Sequence, residues 1–251
     1  MEDHMSGNSA PSSGGAAGLT AKMLAARAAA AALSGQAVSP GQWVYRNYVV
    51  VATPANAANP VTVERWATAD NAAAAAWIGG QLETGPCTWP ASPASETMKS
   101  PIIQPAISYG SLSSLPGKPR ALVALLGKTP VSRARAWRAG HAFELIAELF
   151  QSYLMPPQPA AQMYRALGQI RGVRADEHAV DVAGRPGRGF LLTGTGGNQE
   201  IIIDPQTYQF VGYQFLGNGR FLGNGRDIHA AGAWGMAILR MAFVAGPGIR
   251  P

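Results

Sequence analysis

The sequence predicts an α+β domain in which a curved antiparallel sheet, half-barrel-like, is covered by helices on one face. Three observations lead there. The chain has 251 residues of which 47% are hydrophobic, ample material for one sizeable core. Its 30 glycines and 19 prolines, set against only 14% charged residues, indicate many turns and a β-rich body rather than a helical bundle. Alternating apolar patterns occupy the first and last thirds of the domain, while strong helix formers fill the middle.

Residues 1–18 are Ser, Gly, Ala and Pro with almost no large apolar groups, so they cannot repay the entropy of ordering and are expected to be a tail ahead of a single domain over 19–251. Residues 19–33 are alanine with Lys22, Leu24 and Arg27 and end at Ser34-Gly35, which reads as a helix with a glycine stop. Residues 42–51 follow as a strand with Trp43, Tyr45 and Asn47 on one face and Val44, Arg46 and Tyr48 on the other. Residues 61–66 repeat the pattern, with Val61, Val63 and Arg65 opposed to Thr62, Glu64 and Trp66, and a hairpin is the simplest pairing. Residues 72–84 are ambiguous: alanines favour helix, but the stretch from Ala75 through Trp77, Gly79-Gly80 and Leu82 reads as strand, turn and strand.

Residues 85–119 hold seven prolines and many serines, a long excursion that is either a binding loop or a mobile cover. Helices are expected over 120–126, over 132–154 and over 160–170, the longest stopped by Pro156-Pro157. The last third reads as an antiparallel meander of strands over 173–182, 189–195, 200–204, 208–216 and 234–244. Between the final two strands the hexapeptide Phe-Leu-Gly-Asn-Gly-Arg occurs twice, at 215–220 and 221–226. Two copies are too few for a solenoid, so they lengthen a hairpin.

The chemistry-bearing residues are sparse. Cys87 is the single cysteine, and His4, His141, His178 and His229 stand far apart, so neither a disulfide nor a metal site is expected. A hydrolase would need to draw on Ser108, on His141 or His178, and on Asp176 or Asp204, but there is no Gly-x-Ser-x-Gly elbow. His141 reads as a packed histidine and His178 as part of an exposed strand, while Asp204-Pro205 reads as a turn starter and Glu144 and Glu148 as surface charges on a helix. The glycine-rich stretches 184–189 and 194–198 lack the Lys-Ser ending and the following helix of a phosphate loop, and read as turns between strands. No catalytic residue and no cofactor is expected. The net charge of +6 is scattered rather than clustered, which argues against nucleic acid.

The aromatic residues Trp43, Tyr45, Trp66, Trp77 and Tyr208 are the candidate ligand-binding set, because a sheet face rich in Trp and Tyr can line a cleft for an apolar ligand; the alternative is ordinary core. The expected function is therefore capture of an apolar or amphiphilic molecule, or of a partner segment, between the concave sheet and the helices, with residues 85–119 as cover. The rival is a structural or self-assembling protein, a homo-oligomer that uses strand edges and the 215–226 hairpin.

Three stretches carry a resemblance. They are residues 144–150 with Leu154-Met155-Pro156-Pro157 and 161–173, residues 202–212 around Asp204-Pro205-Gln206-Thr207-Tyr208, and Ala242-Phe243-Val244 with the closing Pro251. Together with Pro40-Gly41-Gln42-Trp43-Val44-Tyr45, they resemble the external domain of an actinobacterial family of single-pass membrane proteins. That resemblance implies an extracytoplasmic location, an anchor helix outside this chain, and a sensory role linked to extracytoplasmic-function sigma factors. More loosely, the pattern is similar to the half-barrels of lipoprotein carriers and sigma-factor regulators. It implies no particular functional residue.

Overall fold

The structure, a computed structural model, describes residues 18–35, 38–39, 41–51, 60–78, 80–86, 112, 114–126, 135–194, 197–223 and 226–251. Helix α1 (Ala21–Leu33) leads into a meander of β1 (Trp43–Val51), β2 (Val61–Thr68), β3 (Ala73–Ile78) and β4 (Gln81–Pro86). Three helices follow, α2 (Pro119–Leu126), α3 (Arg135–Ser152) and α4 (Pro157–Leu167). A second meander closes the chain with β5 (Val173–Asp176), β6 (Arg188–Gly194), β7 (Gly197–Ile203), β8 (Phe210–Gly223) and β9 (Arg226–Val244). All nine strands form one open antiparallel sheet in the order β4-β3-β2-β1-β9-β8-β7-β6-β5, so the two meanders are fused by pairing of the first strand with the last. The expected α+β class with a curved antiparallel sheet is the observed one.

The helices follow from local chemistry. Thr20 caps α1 by accepting a hydrogen bond from the Met23 amide, and the small buried stripe Leu24, Ala25, Ala28, Ala29 lets α1 lie close to α4. Gly168, just beyond α4, marks how close: a Cβ there would stand 2.8 Å from the Ala25 Cβ. Pro157 begins α4, where its missing N–H costs nothing, and Ala161, Met163, Tyr164 and Leu167 turn inward. The core between helices and sheet is a stack of rings: Phe150 lies 4.8 Å from Tyr164 and 5.4 Å from Phe210, and Tyr164 lies 6.2 Å from Phe190. Each such fully buried side chain contributes about 1.5–3 kcal/mol.

Register separates the two faces of the sheet. Phe190, Leu192, Ile201, Ile203, Tyr213, Met236 and Ile238 face the helices. Continuing that face across the β9–β1 and β1–β2 pairings puts Phe243 beside Val44 and Ala67, and Met241 beside Arg46 and Arg65. The opposite face carries Trp43, Tyr45, Trp66 and Val244 at one end and Glu200, Ile202, Gly212 and Gln214 at the other.

Strand β9 begins at Arg226 rather than at residue 234, and two further readings differ from expectation. Strand β5 stops at Asp176 rather than reaching residue 182, so His178 lies in a bend and not on a strand. The reason is Asp181. Its carboxylate accepts from the amides of Ala183 and Arg185 and from the Arg185 guanidinium, winding residues 181–185 into a turn that a strand cannot accommodate. That turn lies across the face away from the helices, where Arg185 donates to the Ile238 carbonyl at 2.7 Å. Glu144 is the second correction: it is not a surface charge but turns toward the sheet and accepts from Gln199 at 2.6 Å. Burial pushes its carboxyl up, partly offset by that hydrogen bond.

The tandem hexapeptide does lengthen a hairpin, since residues 215–223 of β8 pair with residues 226–234 of β9. Residues 1–17 of the tail expected over 1–18, the bulk of the 85–119 excursion with Cys87, and Ser108 lie outside the described residues.

Candidate functional site

Three of the five candidate aromatics, Trp43, Tyr45 and Trp66, come together on the sheet face turned away from the helices. Tyr45 and Trp66 are buried with ring centroids 5.2 Å apart, and Trp43, Leu82 and Val244 pack around them. Trp77, on the same face, keeps 45% of its surface exposed. A C-terminal strap covers this cluster. The Trp66 indole donates to the Ile249 carbonyl at 2.7 Å, and the Arg250 guanidinium grips both Glu64 oxygens, at 2.7 and 2.6 Å. Tyr45 donates to the same carboxylate at 2.6 Å. The Arg250 hydrogen bonds hold the Glu64 carboxyl below the usual range, while burial and the acceptor Glu64 push the Tyr45 phenol up. Tyr45 and Trp66 are thus core, sealed by a strap.

Tyr208 stands apart. It follows the Asp204 turn with φ +58, takes a hydrogen bond from Arg188 at 2.6 Å, and has the Arg188 guanidinium 5.3 Å from its ring centroid. Asp204 behaves as the turn starter its sequence predicts, accepting from the amides of Gln206 and Thr207. Its carboxyl is lowered: burial would raise it, and those hydrogen bonds outweigh the burial. His141 is buried in α3, and burial lowers its pKa, as expected of a packed histidine.

An exposed apolar row lies on the helix side, at the seam of the two meanders. Two rungs cross three strands there: Phe243, Val44 and Ala67 form one, and Met241, Arg46 and Arg65 the next. Met241 and Phe243 are 41% and 44% exposed, although they lie on the face that is packed against helices elsewhere. Ser152 and Leu154, at the end of α3, form a wall. With Thr68 and Asn71 from the β2–β3 turn they close a small cleft of ≈ 10 Å³ over Val44, Arg46, Arg65 and Ala67. Arg46 donates to the Gln151 carbonyl at 3.1 Å, capping one of the free carbonyls at the negative end of α3. Burial pushes the Tyr48 phenol up, opposed by the positive charges of Arg65 and Arg46.

A second, wider cleft of ≈ 600 Å³ opens where α1, α2 and α4 converge, with Lys22, Arg120 and Arg171 on its rim. These cations lie on exposed surface and form a solvated basic groove. Among the described residues no group of His, Cys, Asp and Glu is arranged to hold a metal ion, and no helix is long and apolar enough to cross a membrane.

Sequence reasoning singled out the aromatics and missed Arg46, Arg65, Asn71, Met241 and Phe243. A signal was present: the 42–51 and 61–66 strands put Arg46 and Arg65 on equivalent faces, and pairing them as a hairpin brings the two cations side by side. No protein-family model, curated protein or solved structure matches the chain.

Proposed function

We propose that this chain is a non-catalytic binding domain that captures an apolar ligand on the helix side of its sheet, at the β9–β1–β2 seam. The observation that carries this reading is the exposure of Met241 and Phe243 on the sheet face that elsewhere packs its core against the helices. An apolar row left open beside a packed core gains by accepting a ligand's apolar surface. A sensory role outside the cytoplasm accords with the family resemblance and belongs to the same proposal.

The test is titration with a neutral solvatochromic dye such as Nile red. One-to-one binding is expected, weakened roughly tenfold by Phe243→Ser, the scale of losing one large apolar contact. Absence of saturable binding, or a Phe243→Ser variant that binds as before, overturns the proposal.

One observation favours a second reading, self-assembly. Residues 217–223 and 226–232 pair only with each other among the described residues, so the end of the β8–β9 hairpin offers two unpaired edges. A particle mass by light scattering that stays monomeric as concentration rises speaks against it.

A further inference from the structure

We infer that the corner of the fold built by α1, α2 and α4 is a docking face for the surface of an anionic phospholipid bilayer, a role separate from apolar capture at the seam. Residues 18–35, 114–126 and 157–173, which form these helices and their borders, contain Lys22, Arg27, Lys118, Arg120, Arg165 and Arg171 and no Asp or Glu. The chain has 20 Lys and Arg against 14 Asp and Glu, so setting these six aside leaves the rest balanced, and this corner carries the entire excess of +6. Charge that is scattered along the sequence is gathered by the packing of α1 and α2 on α4. Lys22, Arg120 and Arg171 meet around the ≈ 600 Å³ cleft, which among the described residues no acid lines. None of these three makes an ion pair or a side-chain hydrogen bond among the described residues. Glu177 supplies a counter-charge at the start of α1; it is exposed and accepts from the Leu19 amide at 2.9 Å.

The side chains between the cations select a bilayer over other polyanions. Every exposed position within α1 and α2 is Lys, Arg, Ala, Met or Leu. On each helix these positions fall within about 140° of arc at 100° per residue, so cations and apolar groups share one outward face, and both helices border the same cleft. Met23, Leu33 and Leu125 are 43%, 39% and 48% exposed. A lipid headgroup layer rewards both kinds of residue. Its phosphates take paired hydrogen bonds from guanidinium groups, and its acyl boundary takes Met and Leu out of water. A nucleic acid is gripped through aromatic rings that stack on bases or through amides and hydroxyls that reach base edges, and these exposed positions hold neither.

Flotation of the full chain with vesicles of phosphatidylcholine alone, and of phosphatidylcholine mixed with phosphatidylglycerol, reads the face directly. Binding to the mixed vesicles and not to the neutral ones is expected, with most of it lost between about 0.05 and 0.5 M salt. Lys22→Gln combined with Arg120→Gln should weaken binding roughly 25-fold, about fivefold for each cation lost at an anionic surface. Arg174→Gln combined with Arg240→Gln removes the same charge from the sheet face away from the helices and should change binding by less than about twofold. Leu125→Ser should weaken binding severalfold and leave its salt dependence in place. All of these side chains are exposed, and thermal melts that match the wild type establish that each variant is folded. Equal binding to neutral and anionic vesicles, or a Lys22 and Arg120 pair no weaker than the control pair, overturns the docking face. Tighter binding of a short DNA duplex than of the mixed vesicles, with Leu125→Ser without effect, overturns it in favour of a nucleic-acid surface. Nile red binding at the seam is expected to be the same in all of these proteins, so the docking face and apolar capture fail independently.

Discussion

Glu200 sits on the sheet face away from the helices, 2% exposed, with Oε2 accepting from Gln214 at 2.8 Å and Oε1 without a partner. It lies over Gly189, where a Cβ would collide with Oε1. Burial pushes its carboxyl above the ordinary range; the Gln214 hydrogen bond offsets part of this and the neighbouring Asp176 charge adds to it. The folded protein therefore holds this proton more tightly than the unfolded chain does. Its contribution to stability is complete below the ordinary carboxyl range and is lost as the pH rises through the higher folded value. Glu200→Gln removes the charge, keeps an oxygen for Gln214 and leaves an amide where the unpartnered oxygen was. A buried polar atom without a partner costs about 1–3 kcal/mol, and more when charged, so the variant should gain about 1–2 kcal/mol on the wild type between pH 4 and pH 8. In a domain of this size that is a relative rise in Tm of about 2–4 °C per kcal/mol. Urea unfolding of both proteins at the two pH values measures the gain directly. A difference that does not change with pH would refute the placement of an uncompensated buried carboxyl at this position.

Other outcomes follow from the same geometry. Trp66→Ala should cost about 3–5 kcal/mol in urea unfolding, the usual cost of emptying a buried aromatic site, and leave Nile red binding unchanged; a lost dye site with intact stability would return the aromatic cluster to a ligand-binding role. Gly235→Ala drives a Cβ into the Tyr213 carbonyl and to 2.8 Å from the Gln214 Cα, both backbone, so an overpacking loss of about 1–3 kcal/mol is expected from thermal melts. Glu64→Gln should flatten the acid limb of the stability curve: Arg250 holds that carboxyl low, so its contribution is present above the ordinary carboxyl range and is lost as the pH falls through the lowered value. A variant that retains the wild-type acid limb would remove the strap's ion pair from the account.

Much of this fold was legible because period-2 alternation survives wherever a strand has one buried face. Residues 42–51 and 61–66 show it, and their predicted opposition of Val44, Arg46 and Tyr48 to Trp43 and Tyr45 is the observed one. What alternation leaves open is which face meets the helices when both are apolar. The aromatic face looked like the lining of a cleft, yet it is closed by Ile249 and Arg250, residues whose strap function lies in two hydrogen-bonding contacts far away in sequence. The 173–182 stretch failed for a local reason: Asp181 offers the backbone a turn in place of ladder bonds, and a propensity reading gives no weight to its five-residue loop with Arg185. Glu144 was misplaced because its partner, Gln199, comes from a strand 55 residues on.

The location of the candidate site follows from how each face is covered. On the face away from the helices, the Asp181–Arg185 turn reaches the Ile238 carbonyl and the C-terminal strap seals Trp66, so both ends are closed by chain that is fixed through charged groups. On the helix side, α1 and α4 pack on each other toward β5 and β6, and α3 ends at Ser152, where Arg46 caps it. The helical layer therefore ends against β1, with the last turn of α3 beside Arg46. Because β1 pairs with β9, the rungs beyond that stop bring together residues about 200 positions apart in sequence, two exposed apolar side chains from β9 and two arginines from β1 and β2. The fusion that closes the sheet is thus also what sets the exposed apolar row of β9 beside β1, the surface on which the proposed apolar capture rests.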